Sequence, residues 1–448
     1  MHPLPVLPDG RLEQRFSESK PAYSEAEAVT EANRCLYCVE APCIKACPTG
    51  IDIPNFIHKI STGNVTGAAR TILKENILGA SCARVCPVEV LCAGACVYNA
   101  WEREPIAIGR LQRFATESTL EKRAMSSLMP AKKAPTGKKI ALIGAGPASL
   151  AAAGLLALEG HQAVIFERKS IPGGLNSLGI APYKQSGNQA LEEMQWVMGL
   201  GDVQLMTEVD VIAGQAGMGQ VSTDALLKDF DAVFLGMGLG ADSKLKVPGE
   251  DGAGVYGAVE LIEKIKSDPQ LTLDGVKRAL VIGGGNTAID IAHELKLLGV
   301  ADVAMVYRRA VGSMSGYVHE LAYARKHGVR LIEDRVVAEF VRDGGKLIGA
   351  KLSRAENGKA VAGHEEHLSC ELVALAIGQA TATTMARGFP GVALDKHGNI
   401  TVDPKTQRTG NAKVWSGGDC VNGGKEVVNA VQEAKIAVRD MLTALGAK

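Results

Sequence analysis

Residues 139–149 read Lys-Ile-Ala-Leu-Ile-Gly-Ala-Gly-Pro-Ala-Ser, a pattern typical of a strand, a glycine turn and the start of a helix. A second predicted strand covers 162–166 and ends at Glu167. Gly144 would make the tight turn, and Gly146 would let backbone N–H groups reach a pyrophosphate at the helix start. An acid after the second strand can hold a pair of ribose hydroxyls. The stretch therefore predicts a dinucleotide-binding unit of the α/β class.

The same pattern occurs a second time, with a different ending. A strand over 279–282 leads into Gly-Gly-Gly-Asn-Thr-Ala at 283–288, then a helix and a strand over 302–307. That strand ends in Arg308 and Arg309 instead of an acid. Arginines bind a 2′-phosphate through charge-assisted hydrogen bonds, whereas an acid would repel it. The second unit is therefore predicted to bind NADP(H), and the first to bind FAD or NAD.

A third unit closes the chain. A predicted strand at 414–416 is followed by Gly418 and Asp419, and an amphipathic helix is predicted from Ala430. Two dinucleotide units and this ending are typical of the disulfide-reductase-like layout of flavoproteins.

The layout predicts how the chain divides into domains. The FAD-binding domain is predicted to be discontinuous, over 136–250 and 379–448, with the NAD(P)H-binding domain at 251–378 inserted in it. Gly238 and Gly378 follow predicted strands at 232–236 and 372–377 and would mark the two crossovers. A linker is predicted at 124–139, rich in proline and in small and basic residues.

Eight of the ten cysteines lie within about sixty residues ahead of these units. The first four have C-x2-C-x4-C-x3-C spacing followed by Pro48, which is typical of iron–sulfur proteins; structural zinc favours more widely separated C-x2-C pairs. Helical spacing of apolar residues between the two quartets predicts an all-α domain over 1–130 that holds two [4Fe–4S] clusters. The two quartets are Cys35, Cys38, Cys43 and Cys47, and Cys82, Cys86, Cys92 and Cys96.

Composition narrows the class of function. Lys and Arg total 49, as do Asp and Glu, so there is no global basic charge to favour nucleic acid or an anionic membrane. No secretion signal and no apolar run long enough for a membrane span is present, and we expect a protein of the reducing cytoplasm. Cys370 and Cys420 lack a C-x-x-C partner, which disfavours disulfide redox chemistry.

Taken together, these motifs resemble a known family. The two cysteine quartets, Gly-Ala-Gly-Pro-Ala-Ser at 144–149, Gly-Gly-Gly-Asn-Thr-Ala at 283–288 and Gly-Asp-Cys-Val-Asn-Gly-Gly at 418–424 are similar to those of one electron-input arm. That arm is shared by the glutamate synthase small subunit and the N-terminal part of dihydropyrimidine dehydrogenase. The resemblance covers essentially the whole chain. Residues 105–117 look like the dihydropyrimidine dehydrogenase version, because glutamate synthase small subunits typically carry an acid at the position of Gln112.

The resemblance implies a division of the cluster ligands. One cluster would take Cys35, Cys38, Cys43 and Cys96. The other would take Cys47, Cys86, Cys92 and Gln112, which leaves Cys82 without a cluster. Spacing alone does not require this division, since eight thiols could fill two clusters without any glutamine.

The resemblance and the motifs together give the candidate contacts of the nucleotides. Lys184 aligns with a basic flavin contact, although a solvated lysine is the competing interpretation, and Asp290 and Glu320 are interpreted as structural. Ser315 stands where some relatives place an arginine near the 2′-phosphate, which keeps NAD(H) as an alternative to NADP(H). The candidate cofactor-binding residues are Val85, Gly144, Gly146, Pro147, Ala148, Glu167, Gly174, Leu175, Lys184, Gly283, Gly284, Gly285, Asn286, Thr287, Arg308, Arg309, Gly378, Gly418, Asp419, Glu426 and Val427.

The implied activity is electron input. The chain would oxidise NADPH by hydride transfer to FAD and pass electrons through two clusters to an FMN-containing catalytic subunit that reduces uracil or thymine. No acid–base residue is required for hydride transfer. The alternatives are a glutamate synthase small subunit and a subunit of an NADPH–ferredoxin transhydrogenase. A redox or iron sensor on a degenerate scaffold is disfavoured, because both dinucleotide motifs are intact.

Overall fold

The structure is a computed structural model that describes residues 5–121, 128–381 and 383–446. The start of the predicted linker, 124–127, and the outermost ends of the predicted domains lie outside the described residues. The fold has the predicted class, with an all-α part followed by two parallel α/β units. Within the described residues, no helix combines the length and apolar character needed to cross a bilayer.

Sixteen α-helices are described. Their starts follow local chemistry: Ser24 and Glu27 form a reciprocal capping box at the first helix, and prolines occupy the first turn of three others. The helices are α1 Glu25–Ala32, α2 Pro42–Ala46, α3 Ile53–Ser61, α4 Val65–Glu75, α5 Gly79–Val85, α6 Ile108–Glu121, α7 Pro147–Leu158, α8 Leu175–Leu178, α9 Gly187–Met198, α10 Thr223–Asp229, α11 Ala258–Ser267, α12 Asn286–Leu297, α13 Val318–Lys326, α14 Thr383–Ala386, α15 Asp419–Asn422 and α16 Val427–Ala444.

Seventeen strands are described, and most of those in the two large sheets are buried on both faces, as parallel strands covered by helices should be. They are β1 Lys139–Ile143, β2 Gln162–Phe166, β3 Val203–Met206, β4 Asp210–Ile212, β5 Gln220–Ser222, β6 Ala232–Leu235, β7 Leu239–Asp242, β8 Val255–Gly257, β9 Arg278–Ile282, β10 Asp302–Val306, β11 Arg330–Ile332, β12 Arg335–Asp343, β13 Lys346–Glu356, β14 Lys359–Ser369, β15 Leu372–Leu375, β16 Gln379–Thr381 and β17 Val414–Ser416.

The two five-stranded sheets are parallel and have related orders. The first is β17-β6-β1-β2-β3, so the last strand of the chain completes the sheet built around the first glycine motif. The second is β11-β10-β9-β15-β8, built around the second motif. We call these the FAD unit and the nucleotide unit, and the six helices before them the cluster unit. The two sheets group their strands as the proposed division into 136–250 with 379–448 and 251–378 does, and that division stays a proposal. The proposed domain at 1–130 is not a separate packing unit throughout, because Leu7 packs in the core of the FAD unit and Leu12 in that of the nucleotide unit.

The chain crosses between the two α/β units at one place. Strands β7 and β16 pair antiparallel, with Gln379 opposite Asp242 and Thr381 opposite Leu239. Gly238 and Gly378 precede these strands with positive φ of 66° and 105°. Both glycines were predicted at the crossovers, but the pairing of the two connections was not.

Several predicted boundaries are wrong by one to three residues. The strands predicted at 232–236, 302–307 and 372–377 end at Leu235, Val306 and Leu375. The helix predicted from Ala430 begins at Val427 instead, because Gly423 and Gly424 turn the chain with positive φ and Glu426 is an extended N-cap. Because α16 begins earlier than predicted, its N-terminal residue Val427 borders the cavity described below.

One sheet was not predicted. Strands β12, β13 and β14 form an antiparallel sheet with two register shifts between the first two strands. Its apolar face, including Phe340 and Leu352, shares a core with Leu280 and Leu375 of the nucleotide unit. The other face of that parallel sheet packs on α11 and α12. This small sheet therefore replaces helices on one side of the nucleotide unit.

The cluster unit has a core of its own, and it is joined to the FAD unit by a shared apolar core that includes Leu73 and Leu78 and by polar contacts. Its own core includes Phe56, Ile57 and Ile72. The ammonium of Lys435 on α16 donates to the carbonyls of Thr49, at 3.0 Å, and Glu75, at 2.7 Å, and also to the Glu75 carboxylate. One lysine of the FAD unit thus binds two separate segments of the cluster unit.

We expect Lys435→Met to lower the stability of the cluster unit by about 1–3 kcal/mol, since it leaves two carbonyls and a carboxylate without their charged donor. Thermal unfolding followed by loss of cluster absorbance measures this. The control is Lys405→Met, which changes an exposed lysine of the same chain. Equal midpoints for both variants would contradict the anchoring role.

Candidate functional site

A continuous cavity of about 820 Å³ is bordered by all three units. The volume falls within the range of roughly 300–1,000 Å³ that small-molecule sites span. Val85 and Pro87 border it from the cluster unit, the first glycine motif borders it from the FAD unit, and Asn286 and Tyr317 border it from the nucleotide unit. Of the candidate residues, the cavity is lined by Val85, Gly144, Gly146, Pro147, Ala148, Glu167, Gly174, Leu175, Lys184, Asn286, Gly418, Asp419, Glu426 and Val427.

The first glycine turn leaves room for a ligand where glycine is required. Gly144 has φ of +84°, and a Cβ on it would lie 2.9 Å from the carbonyl oxygen of Gly236. At Gly146 the nearest atom to such a Cβ is 3.9 Å away, so the backbone there is open. Gly146 is also the N-cap of α7, whose unpaired N–H groups favour an anion such as a pyrophosphate.

The carboxylate of Glu167 is held rigidly beside this turn. It accepts hydrogen bonds from the backbone N–H groups of Ala145 and Lys169, each at 2.8 Å. The side chain is 8% exposed and borders the cavity. A fixed acid in this position is what a ribose diol would need.

Two other glycines bring separate segments against the same turn. Gly174 has φ of +57°, and a Cβ there would lie 3.0 Å from the Cα of Gly146. Gly418 has φ of +80°, and a Cβ there would lie 3.0 Å from the Cβ of Ala148. The start of α16 follows close behind, so the N-terminal ends of two long helices border one cavity.

Lys184 is half-buried and ion-paired, so the interpretation as a solvated lysine is wrong. Its ammonium pairs with the carboxylates of Asp290 and Glu320, each at 2.8 Å. Burial alone would lower the pKa of Lys184, but these two carboxylates outweigh it and raise the pKa. Burial raises the pKa of Glu320. All three side chains border the cavity, so the two acids have a place in the site as well as a structural role.

Tyr317 was missed by sequence reasoning. Its hydroxyl donates to Glu426 of the FAD unit at 2.7 Å, and its backbone N–H donates to the Asn286 side chain at 2.9 Å. Burial raises the pKa of Tyr317, and the hydrogen bond to Glu426 raises it further. The helical spacing of Asn286 and Asp290 places both on one face of α12 and could have indicated that face, but no pattern marked Tyr317.

The second glycine turn lies outside the lining of this cavity. Gly283 has φ of +148°, and a Cβ there would lie 2.2 Å from the carbonyl oxygen of Ala376. A Cβ on Gly284 would lie 2.6 Å from the ring of Tyr307. The hydroxyl of Ser315 is 3.6 Å from the corresponding position on Gly285. Gly378 and Thr287 also lie outside the lining.

Arg308 is exposed and Arg309 is half-buried, and both follow β10. The side chain of Arg308 packs against Gly358, in the turn between β13 and β14. Among residues 5–121, 128–381 and 383–446, no carboxylate forms a salt bridge with either arginine. Their guanidinium groups are therefore available to a phosphate.

Four thiols of the cluster unit surround a small apolar pocket. Cys35, Cys38, Cys43 and Cys96 border it together with apolar side chains of α3 and of the segment before α6. Burial raises the pKa of Cys35, and it raises the pKa of Cys43 to about 11. This is the set that the resemblance implied for the first cluster.

The remaining thiols form a second group. A hydrogen bond with Cys82 and burial raise the pKa of Cys86, whose other neighbours are Cys92 and Cys47. Burial, followed by the proximity of Cys47, raises the pKa of Cys92 to about 12. Cys82, which the resemblance leaves without a cluster, therefore contacts this group.

Gln112 is buried on α6, and its side-chain N–H donates to the carbonyl of Gly79 at 2.8 Å. Because the side-chain nitrogen of Gln112 makes this bond, its side-chain oxygen is the atom that could bind iron. Cys82 and Gln112 are therefore two candidates for the fourth position of the second group.

The donor chemistry fits clusters better than a single ion. Across the part of the chain that the structure describes, no three His, Cys, Asp or Glu side chains lie close enough together to bind one metal ion. A [4Fe–4S] cluster attaches each thiolate to a different iron, so its ligands stand farther apart than those of zinc. The residues present thus fit FAD in the cavity and an iron–sulfur cluster at each thiol group.

Comparison with known proteins covers both halves of the chain. A family described as dihydropyrimidine dehydrogenase domain II, 4Fe-4S cluster, matches residues 12–124, and one described as pyridine nucleotide-disulphide oxidoreductase matches residues 138–434. The chain is 32% identical to the glutamate synthase (NADPH) small chain of Escherichia coli strain K12, over 94% of this chain and 92% of that one.

A second relative has a different printed activity. The NAD-dependent dihydropyrimidine dehydrogenase subunit PreT of Salmonella typhimurium is also 32% identical, over 95% of this chain and 96% of that one. Among solved structures, Mycobacterium tuberculosis FprA in complex with NADPH aligns with a TM-score of 0.54 and 21% identity, over 69% of this chain and 85% of that one. At that identity the structural likeness concerns the fold alone.

We expect Gly283→Ala to slow NADPH-driven bleaching of the flavin by roughly 10–100-fold, because the new Cβ would displace the turn from the Ala376 carbonyl. FAD content should be unchanged. Gly312→Ala is the matched control, since a Cβ there meets no atom within 4 Å. Stopped-flow absorbance measures both rates, and equal rates would contradict a nucleotide site at this turn.

Proposed function

Because the chain belongs to the pyridine nucleotide-disulphide oxidoreductase family and carries a 4Fe-4S domain ahead of that region, we propose that it is the electron-input subunit of an NADPH-dependent dihydropyrimidine dehydrogenase. The chain is an NAD(P)H-dependent flavoprotein oxidoreductase that uses FAD and 4Fe-4S clusters, as the sequence predicted. Its acceptor would be a separate FMN-containing subunit that reduces uracil or thymine.

The observation that carries the proposal is the cavity bordered by all three units. Its wall includes Asn286 of the nucleotide unit, the glycine turn of the FAD unit, and Val85, which directly precedes Cys86. A group bound there would contact both the nucleotide unit and the unit that bears the thiols. When bound, FAD accepts a hydride and releases its electrons one at a time.

The residues of the chain would hold the two cofactors in position and would not transfer protons. Gly146 and the start of α7 would hold the pyrophosphate, and Glu167 would hold the ribose. Tyr317 bridges Asn286 and Glu426, so it fixes the nucleotide unit against the start of α16. Lys184 would contact the flavin, and Asp290 and Glu320 keep its ammonium in place. Holding two reactants in a fixed geometry is the contribution that hydride transfer requires.

The choice of nucleotide rests on the residues after β10. Arg308 and Arg309 support NADP(H), because they are free of salt bridges within the described chain and arginine suits a phosphate. The printed names of relatives include both NADPH-dependent and NAD-dependent proteins. NAD(H) is therefore the alternative that a comparison of the two nucleotides would test.

The ligand sets are proposed as the resemblance implied them. Cys35, Cys38, Cys43 and Cys96, which border one pocket, would hold the first cluster. The second cluster would take Cys47, Cys86, Cys92 and Gln112.

A glutamate synthase small subunit is the second candidate. Its support is the 32% identity with the Escherichia coli small chain, equal to that with the dihydropyrimidine dehydrogenase subunit. Gln112 favours the first candidate, since glutamate synthase small subunits typically carry an acid there. Both candidates require a partner subunit.

The partner assay separates the two candidates. We expect the protein copurified with its partner to oxidise NADPH when uracil or thymine is added. Glutamine plus 2-oxoglutarate should give no oxidation above background. NADPH oxidation with the second pair alone would overturn the proposal in favour of glutamate synthase.

The ligand proposal has its own test. We expect Cys82→Ala to keep the iron and acid-labile sulfide content of the wild type, and Gln112→Leu to lose iron or to change the electron paramagnetic resonance signal of one cluster. Gln112→Glu keeps an oxygen ligand but removes the donor to Gly79, so it separates ligation from that hydrogen bond. Loss of iron in Cys82→Ala, with Gln112→Leu unchanged, would assign the position to Cys82.

A further inference from the structure

Helix α5 connects the cavity with the second thiol group. Val85, its last residue, borders the cavity. Cys82 lies on the helix, and Cys86 follows the helix one turn later. The helix has only seven residues and belongs to the cluster unit, whereas most of the cavity wall belongs to the FAD unit. Any shift of α5 against the FAD unit changes the separation between the cavity and these thiols.

A buried carboxylate of the FAD unit holds the first turn of α5. Glu193 on α9 accepts hydrogen bonds from the backbone N–H groups of Ala80, at 2.8 Å, and Ser81, at 3.1 Å. It also accepts a short hydrogen bond from the Ser81 hydroxyl. All three donors lie on α5, so one side chain of α9 anchors the helix at three points.

The Ser81 hydroxyl is the centre of this contact. It donates to Glu193 and accepts from the side-chain amides of Asn176 and Gln185, each at 2.8 Å. A hydroxyl has one donor and two acceptor sites, so its hydrogen-bonding capacity is filled. Ser81, Glu193 and Gln185 are each 1% exposed.

The partners of Ser81 come from the part of the FAD unit that forms the cavity. Asn176 borders the cavity in α8, and Gln185 follows the cavity residue Lys184. The hydroxyl is thus bound to three separate segments of the FAD unit. A contact of this kind fixes the helix in direction as well as in distance.

We propose that Ser81 and Glu193 are positioning residues that set the separation between the dinucleotide cavity and the thiols of α5, and with it the rate at which electrons reach the clusters. The inference rests on the electron path of the proposed function. Electron transfer between two centres falls steeply with the distance between them, whereas hydride transfer takes place between the nucleotide unit and the cavity, to whose lining α5 contributes only Val85. The two residues should therefore affect one step and leave the other unchanged.

The test uses the holoenzyme and two variants. Ser81→Ala removes one hydroxyl and is the milder change. Glu193→Gln replaces one acceptor oxygen by an amide NH2 group, which would face the N–H groups of Ala80 and Ser81 and the Ser81 hydroxyl. Glu192→Gln, an exposed acid next to Glu193 on the same helix, is the control. NADPH-driven bleaching of the flavin is followed by stopped-flow absorbance, and the reduced-cluster signal by freeze-quench electron paramagnetic resonance. Iron and sulfide content, and the signal after dithionite, report cluster occupancy.

In both variants we expect flavin bleaching and cluster content like those of the wild type, with reduction of the clusters by NADPH slowed roughly tenfold, because a displacement of about 1 Å between reacting groups can cost up to ~100-fold in rate. Reduction at the wild-type rate would overturn the inference. Loss of iron, or equal slowing of both steps, would show a merely structural role and would also overturn it. Wild-type clusters that NADPH does not reduce would instead contradict the proposed function.

Discussion

The three units must be held at fixed separations if electrons are to pass between their cofactors, and the segment 180–187 of the FAD unit contacts both of the others. Its carbonyls at Ile180 and Gln185 accept hydrogen bonds from Lys266 of the nucleotide unit. Its last N–H, at Gly187, donates to Glu13 of the N-terminal stretch. Its side chains reach both Asp290 and Ser81. This segment of the FAD unit therefore makes polar contacts with the nucleotide unit, the cluster unit and the N-terminal stretch.

The contacts between the units include buried charged groups as well as apolar packing, such as that of Leu73, Ile77 and Leu78 in the core of the FAD unit. Lys266 is fully buried, and burial lowers its pKa to about 8 despite the nearby Glu13. Burial also raises the pKa of Glu294, whose two carboxylate oxygens have no hydrogen-bond partner in the described chain. Interfaces between domains are generally more polar than cores, because each domain first buries its own apolar residues. Directional bonds then set the relative orientation, which apolar packing alone specifies less sharply.

The sequence predicted what local pattern encodes and missed what depends on contact between units. Both glycine turns lie between a strand and a helix, and Glu167 lies beside the first turn, as the spacing predicted. Their nucleotide-binding roles stay predictions. The sheet of β12–β14 was missed because its strands complete another unit's core at Phe340. Tyr317 and Glu193 act across units, and nothing in their neighbouring residues marks that role. Lys184 was recognised only by alignment, and its burial depends on two acids more than a hundred residues away.

The antiparallel pairing of β7 with β16 means that the nucleotide unit enters and leaves the fold through a two-stranded neck. Because the two ends of the nucleotide unit lie side by side, recombination could replace this unit with a related one of different nucleotide preference. The strands of the FAD-binding sheet would stay intact. Here, however, Leu12 lies in the nucleotide unit's core while Leu7 lies in the core of the FAD unit. The stretch around Leu12 thus belongs structurally to the inserted nucleotide unit, although it precedes that unit by more than two hundred residues in sequence. Recombination that moved only the stretch between the neck strands would separate that core from one of its own side chains.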